Sequence, residues 1–290
     1  MTDNVSARDY GRLIVQGADR PGIVSGVSSV LAEHGANIVA LDQTSSDPSG
    51  GRFFQRTVFH LQDLSVKIGA LNAALEQRLT EELGLTYRLV EARRRKRVAI
   101  FVSKADHCLL DLLWRQRRGE LNVTIPMVVS NHPDLGDDVR GFGIPFFHVP
   151  VEKGKKPVAE KEQLNLLKGN VDLLVLARYM QIVSGGFLEE LGVPVINIHH
   201  SFLPAFMGAG PYQRAKERGV KLVGATAHYV TEDLDEGPII EQDVIRVSHQ
   251  ESAQELQRKG ADVERLVLAR AVTWHCDDRV IRDGNSTVVF

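Results

Sequence analysis

The chain has 290 residues, 43% apolar and 25% charged, with 35 Lys and Arg against 37 Asp and Glu for a formal charge of −2. A chain of this length forms one large domain or two unequal ones, and its ordinary composition excludes global disorder. The near-neutral balance excludes the basic footprint of an electrostatic nucleic-acid binder.

Residues 8–91 read as βαββαβ. Gly11–Gly17 is a predicted strand centred on Leu13, Ile14 and Val15, and Asp19-Arg20-Pro21-Gly22 is a turn. Ile23–Glu33 is a helix with Ile23, Val27, Val30 and Leu31 on one face, ended by His34-Gly35-Ala36. Asn37–Thr44 is a second strand, Ser46–Gly51 a turn, Phe53–Gln62 a third strand, Ser65–Leu83 a helix closed by Gly84, and Leu85–Glu91 a fourth strand. This order is the split-βαβ, ferredoxin-like arrangement. The run Arg93-Arg94-Arg95-Lys96-Arg97 marks a linker over 92–97. No aromatic residues interleave with it, so it reads as a solvated face and not as a nucleic-acid patch.

From 98 to 290 strands and helices alternate. Strands are expected at Val98–Ser103, Val123–Ser130, Phe146–Val149, Val171–Ala177, Pro194–His199, Leu222–Val230 and Ile239–Val247. Helices are expected at Asp106–Arg118, Val158–Lys168, around Val183–Leu191, at Pro211–Arg218 and over the long closing stretch Ser252–His275. Such alternation predicts a doubly wound, Rossmann-like α/β domain. The best apolar run, Val171–Ala177, is short and holds Asp172, so it reads as a buried strand and not a membrane span. Met1-Thr2-Asp3-Asn4-Val5-Ser6 has no apolar signal region, and two cysteines cannot make a disulfide framework. A reducing, cytoplasmic setting is expected.

In an open α/β sheet, ligands bind beyond the carboxyl ends of the strands. The most polar strand end is Val195-Ile196-Asn197-Ile198-His199-His200-Ser201. Strand alternation puts Asn197 and His199 on one face, and an amide beside an imidazole suits an oxygen that becomes negative during reaction. A second cluster, Thr231-Glu232-Asp233-Leu234-Asp235-Glu236-Gly237-Pro238, crowds carboxylates before a Gly-Pro turn, with Asp235 placed to turn inward. A metal-hydrolase reading would enlist His199, His200, His228 and Asp235. Adjacent histidines of a strand point to opposite faces, and no His-x-His or His-Glu-x-x-His spacing occurs, so no metal is expected. Cys108, at a predicted helix start, reads as a structural thiol.

Two resemblances extend these readings. Ala18-Asp19-Arg20-Pro21-Gly22-Ile23-Val24 before a helix, then Gly35-Ala36-Asn37-Ile38, resembles the ACT domain, a small-molecule sensing module. It implies an effector site at Asp19, Arg20, Gly22 and Asn37, with glycine or methionine as effector, and a homo-oligomer through these domains. Gly22 would let a ligand approach the backbone, and the helix N-terminus would offer N–H groups to a carboxylate.

Asn197-Ile198-His199 together with Leu234-Asp235-Glu236-Gly237-Pro238 resembles the formyltransferase family that acts on 10-formyltetrahydrofolate. The likeness extends to Ser201-Phe202-Leu203-Pro204, to Gly224–Thr231 and to Ala177-Arg178-Tyr179-Met180-Gln181-Ile182-Val183. It implies Asn197, His199 and Asp235 as catalytic residues, and Met180, Gln181, Ile182, Val183, His228 and Leu234 as folate-binding ones. The stretch Ser103-Lys104-Ala105-Asp106-His107-Cys108 has no glycine, so the backbone cradle of a phosphate-bearing acceptor is missing. With the sequence ending at Phe290, the tRNA-holding tail of the methionyl-tRNA branch is not expected. The ACT-like start and the loop Ala205-Phe206-Met207-Gly208-Ala209-Gly210-Pro211-Tyr212 resemble the formyltetrahydrofolate deformylases, where Gly210 is commonly asparagine.

That resemblance implies hydrolysis to formate and tetrahydrofolate. Asn197 and protonated His199 would face the oxyanion, and Asp235 would position or activate water. No permanently bound cofactor is implied, and the setting is one-carbon metabolism and purine biosynthesis. Two rivals stand beside it: formyl transfer to an amine acceptor, and a non-catalytic sensor of folate or amino acid.

Overall fold

The computed structural model describes residues 9–47, 49–204 and 211–290. Two compact units emerge. One runs to Arg95 and takes back Asp278–Ile281 and Val288–Phe290; the other comprises Lys96–Asp277 and Arg282–Thr287.

The first unit is β1 (Tyr10–Ala18), α1 (Ile23–Glu33), β2 (Asn37–Ser45), β3 (Arg52–His60), α2 (Leu64–Leu75, running on as a π-helical stretch Glu76–Glu82) and β4 (Thr86–Glu91). Its sheet has the order β2-β3-β1-β4, with β1 antiparallel to both β3 and β4. Period-2 and period-3.6 patterns meet in one core: Leu13 and Val15 of β1 and Phe53 and Phe59 of β3 bury against Ile23, Val27, Val30 and Leu31 of α1. The opposite sheet face is also covered, because Ile14 and Phe54 pack with Ile281, Val288 and Phe290. The expected boundaries gave everything after residue 98 to the second domain. The end of the chain departs from that, since these apolar side chains bury there and Asp278 pairs with Arg12 at 3.1 Å and Arg88 at 2.5 Å.

The second unit contains β5 (Lys96–Val102), α3 (His107–Arg117), β6 (Val123–Thr124), β7 (Val128–Ser130), α4 (Gly136–Gly141), β8 (Phe146–His148), α5 (Lys156–Leu167), β9 (Leu173–Leu176), α6 (Gly185–Leu191), β10 (Val195–His199), α7 (Pro211–Glu217), β11 (Leu222–Tyr229), β12 (Ile239–Arg246) and α8 (Ala253–Cys276). The last two strands of the chain, β13 (Val280–Asp283) and β14 (Ser286–Val289), pair with each other. The main sheet has the order β12-β11-β10-β9-β5-β7-β8, with β6 beside β5. Strands β10, β9, β5, β7 and β8 run parallel, while β11 and β12 are antiparallel additions.

The chain order reverses between β5 and β9, so the switch point of the sheet lies at the ends of those two strands. Central strands are buried on both faces, as parallel strands under two helix layers should be; Leu173–Leu176 is wholly buried. The expected strand Val123–Ser130 splits in two around Pro126, which cannot donate to a ladder. Arg97 lies in β5 and grips Asp172 through Nη2 at 2.8 Å, so the end of the basic run is paired. α8 opens on a capping box, Ser252 with Glu255. Residues 205–210 of the quoted loop, Gly210 among them, and Pro48 lie outside the described residues. Among the described residues no helix is long and apolar enough to cross a membrane.

Candidate active site

Register between β10 and its antiparallel neighbour builds the centre of the site. Asn197 lies opposite His228, and His199 opposite Thr226, so their side chains are cross-strand neighbours. The Asn197 amide donates from Nδ2 to His228 Nε2 at 3.2 Å, and His228 Nδ1 gives its hydrogen to the Tyr229 carbonyl at 2.9 Å. One amide hydrogen of Asn197 remains for a ligand. Thr226 ties down the chain beyond His199: its hydroxyl donates to the Ser201 carbonyl at 2.9 Å and accepts from the Leu203 N–H at 3.0 Å. Gln242 of β12 donates to that hydroxyl at 2.9 Å.

The third member arrives on the loop between β11 and β12. Gly237 is required there, because a Cβ would overlap the Tyr229 carbonyl oxygen. The Tyr229 N–H donates to the Pro238 carbonyl at 2.9 Å. Asp235 itself sits in the left-handed region at φ 59, a conformation held by its surroundings and common where side chains are aimed for function. Its Oδ2 is 3.1 Å from His199 Nδ1 and its Oδ1 is 3.7 Å from His228 Nε2. Hydrogen bonding to His199 holds the Asp235 carboxyl well below the usual carboxylate range, against an opposing push from burial. The other ring nitrogen of His199, Nε2, is buried and has no hydrogen-bond partner. A buried orphan nitrogen costs free energy unless a ligand completes it.

These three residues border a cleft of about 250 Å³. Every expected folate-binding residue lines it: Met180, Gln181, Ile182, Val183, His228 and Leu234. Met180, Ile182 and Leu234 are more than half exposed, and such apolar walls suit a flat heterocycle. His228 is 2% exposed and is engaged with Asn197, so it holds that amide as well as bordering the cleft.

The effector residues expected in the first unit do not meet within one chain. Asp19 accepts from the Ser45 hydroxyl at 2.5 Å, level with the end of β2. Asn37 begins that strand, opposite His60 and level with Tyr10. Eight residues of strand, roughly 26 Å at ~3.3 Å each, separate the two. Arg20 donates to the Glu82 carbonyl at 2.9 Å, and Gly22 has φ 94 with open space where a Cβ would stand.

A second buried polar cluster was not visible in the linear motifs. Glu264 of α8 is 1% exposed. It accepts from the Tyr212 hydroxyl at 2.5 Å, from His107 Nε2 at 2.7 Å, and faces Arg178 Nη1 at 3.5 Å. Burial pushes its carboxyl up, but His107, Arg178 and Tyr212 outweigh that and hold it below its ordinary value. Burial first, then the Arg178 guanidinium, pushes His200 down to about 4. The donor atoms of His107, Cys108 and Glu264 lie within 4.8 Å of one another. The carboxylate is already saturated there and a guanidinium stands beside it, which disfavours a cation. Burial, then Glu264, raises the Cys108 thiol, so it is a poor nucleophile. One sequence signal pointed at Glu264: it falls on the apolar stripe of α8 between Val263 and Val267, where a carboxylate needs partners.

Comparison with known proteins settles the family. The formyl transferase family model matches residues 96–272 and the ACT domain model matches residues 11–76. The formyltetrahydrofolate deformylase of Mycobacterium tuberculosis is 60% identical over 282 residues, covering 97% of this chain and 91% of that protein. The chain belongs to the formyltetrahydrofolate deformylase family. The Bacillus subtilis deformylase is 52% identical over 97% of this chain and 94% of its own length. The crystal structure of a deformylase from Pseudomonas syringae superposes with a TM-score of 0.92 at 45% identity, covering 97% of this chain and 94% of that one. A glycinamide ribonucleotide transformylase from Symbiobacterium toebii, at 28% identity and a TM-score of 0.64, covers 68% of this chain and 94% of its own. The expected fold is therefore the fold of this deformylase family: an ACT-like βαββαβ unit and a Rossmann-like formyltransferase unit.

Proposed function

We propose that this chain hydrolyses 10-formyltetrahydrofolate to formate and tetrahydrofolate at Asn197, His199 and Asp235. The observation that carries the reading is the pairing of His199 Nδ1 with the Asp235 carboxylate at 3.1 Å, which leaves the buried Nε2 unpartnered beside the Asn197 amide. The pterin lies against Met180–Val183 and the loop before Asp235, and its formyl carbonyl reaches the strand end. Water attacks the formyl carbon. The carbonyl oxygen becomes negative and accepts from Asn197 Nδ2 and, with the ring carrying both protons, from His199 Nε2.

Asp235 holds His199 in orientation and positions the water. A carboxyl held so far below its usual range is a weak proton acceptor. Its role is orientation and relay: the water's proton passes to N10 as the carbon–nitrogen bond breaks. No resident cofactor is called for by this chemistry. Two cysteines in 290 residues fit a reducing compartment, and we place the reaction in the cytoplasm.

The ACT-like unit is proposed to bind glycine or methionine. Asp19–Gly22 of one chain and Asn37 of a second would complete that site in a homo-oligomer, since one chain holds them apart. The test is to incubate purified protein with 10-formyltetrahydrofolate and no amine, and to assay formate. Stoichiometric formate and tetrahydrofolate are expected. Folate binding without turnover would leave a sensor, and turnover only with an added amine would leave a transferase.

A further inference from the structure

We infer that Arg178, Tyr212, His107 and Glu264 make the enzyme specific for water, by filling the crevice through which an amine acceptor would reach the formyl carbon. The inference rests on the hydrolase reading above and names what enforces it.

A transferase on this fold needs room for two substrates. The folate cleft takes one side of the strand ends. The other ligand position that an open α/β sheet offers is the crevice at its switch point, here between the ends of β5 and β9. Arg178 lies two residues beyond β9, and its carbonyl accepts from the Ser103 N–H beyond β5 at 3.2 Å. It holds φ 63, a strained conformation for a long side chain. Its guanidinium is 12% exposed, borders the catalytic cleft, and leaves Nε and Nη1 without hydrogen-bond partners.

His107, in the first turn of α3, bonds to Glu264 of α8 at 2.7 Å, and Glu264 in turn faces the Arg178 guanidinium. Tyr212 of α7 joins them through Glu264. Gly260, one helical turn before Glu264, has no side chain where Tyr212 enters, and a Cβ there would overlap the Tyr212 hydroxyl. The packing is thus built around this contact. The block begins one ring away from the catalytic imidazole: His200 lies 5.3 Å from His199 and 6.0 Å from Tyr212, ring centre to ring centre. An amine entering here would have to break the buried hydrogen bonds of Glu264 with Tyr212 and His107 and displace the Arg178 guanidinium beside them.

If the block opens, the amine nitrogen bonds to the formyl carbon and loses a proton. The bond from that carbon to N10 breaks, N10 takes a proton, and an N-formyl amine leaves in place of formate. The test uses the full chain with 10-formyltetrahydrofolate and glycinamide, reading formate and formylglycinamide by mass spectrometry. Arg178→Gly suits the positive φ, and Tyr212→Ala opens the crevice from a different element. The parent is expected to release formate almost alone. In either variant the formylglycinamide share should rise roughly tenfold, the scale of one lost exclusion. Alkylation of the buried Cys108 by iodoacetamide should quicken, with that of Cys276 unchanged.

The inference is overturned if variants that turn over still give formate alone. It is equally overturned if variants that do not turn over keep Cys108 as protected as in the parent, or expose both thiols together. Absence of formate from the parent without amine would instead sink the hydrolase reading.

Discussion

Asp235→Asn separates charge from shape. Asparagine tolerates the left-handed region better than most residues, so the loop at φ 59 keeps its course, whereas alanine would add strain of about 1–3 kcal/mol. The side chain is 9% exposed and faces His199 Nδ1 at 3.1 Å, and an amide oxygen can occupy the same place. What disappears is the charge. Charge-assisted hydrogen bonds are roughly twice as strong as neutral ones, so His199 loses the charged acceptor that orients its ring, and the water loses its orienting carboxylate. A positioned proton-handling group contributes about 10²–10⁴ in rate, equivalent to roughly 3–5 kcal/mol of barrier. We expect kcat for formate release to fall by that factor. KM should change little, because the Met180–Val183 wall is untouched. Initial rates of formate formation across substrate concentrations measure both, and a thermal melt confirms folding. A folded variant with the parent's kcat would refute the assignment.

Asn197→Ala removes one oxyanion donor and should lower kcat about 10²–10³-fold, read in the same assay. Gly237→Ala drives a Cβ into the Tyr229 carbonyl and should cost about 1–3 kcal/mol of stability, read as a lower melting midpoint. His200 is held neutral in the fold, down to about 4 from 6.5. The unfolded chain binds the extra proton first, so this contribution is full above pH ~6.5 and is lost as pH falls towards ~4, amounting to up to about 3 kcal/mol. His200→Gln should flatten the fall in melting temperature over that window, and an unchanged pH slope would contradict the assignment. Glycine or methionine should shift the rate or the melting temperature of the parent and not of Asp19→Ala; no response to either in the parent removes the effector reading.

The motif-bearing parts of the molecule were legible because they are local. Asn197 and His199 share a strand face by period two, and Ile23, Val27, Val30 and Leu31 share a helix face by period 3.6; both sets stand where periodicity puts them. What escaped is non-local or small. The six-residue helix Gly136–Gly141 is too short for a periodic signal. The strand break at Pro126 was written in the residue but lost within an apolar run. Neither Asp278, which pairs with Arg12 and Arg88, nor Ile281 under Phe54 carries a spacing rule that tells of a return to the first sheet. Glu264 and His107 lie 157 residues apart, and their pairing depends on how α8 packs near the start of α3. The same holds for His228: its grip on Asn197 comes from strand register, which sequence alone leaves open.

The most direct measurement of the central claim is hydrolysis in heavy-oxygen water by the purified parent, without any amine. Attack of solvent water on the formyl carbon at Asn197, His199 and Asp235 predicts formate carrying one solvent oxygen for each tetrahydrofolate formed, with labelled formate appearing about 10²–10⁴ times more slowly in Asp235→Asn. Formate without solvent oxygen, or labelled formate at the parent's rate from that variant, would contradict the account.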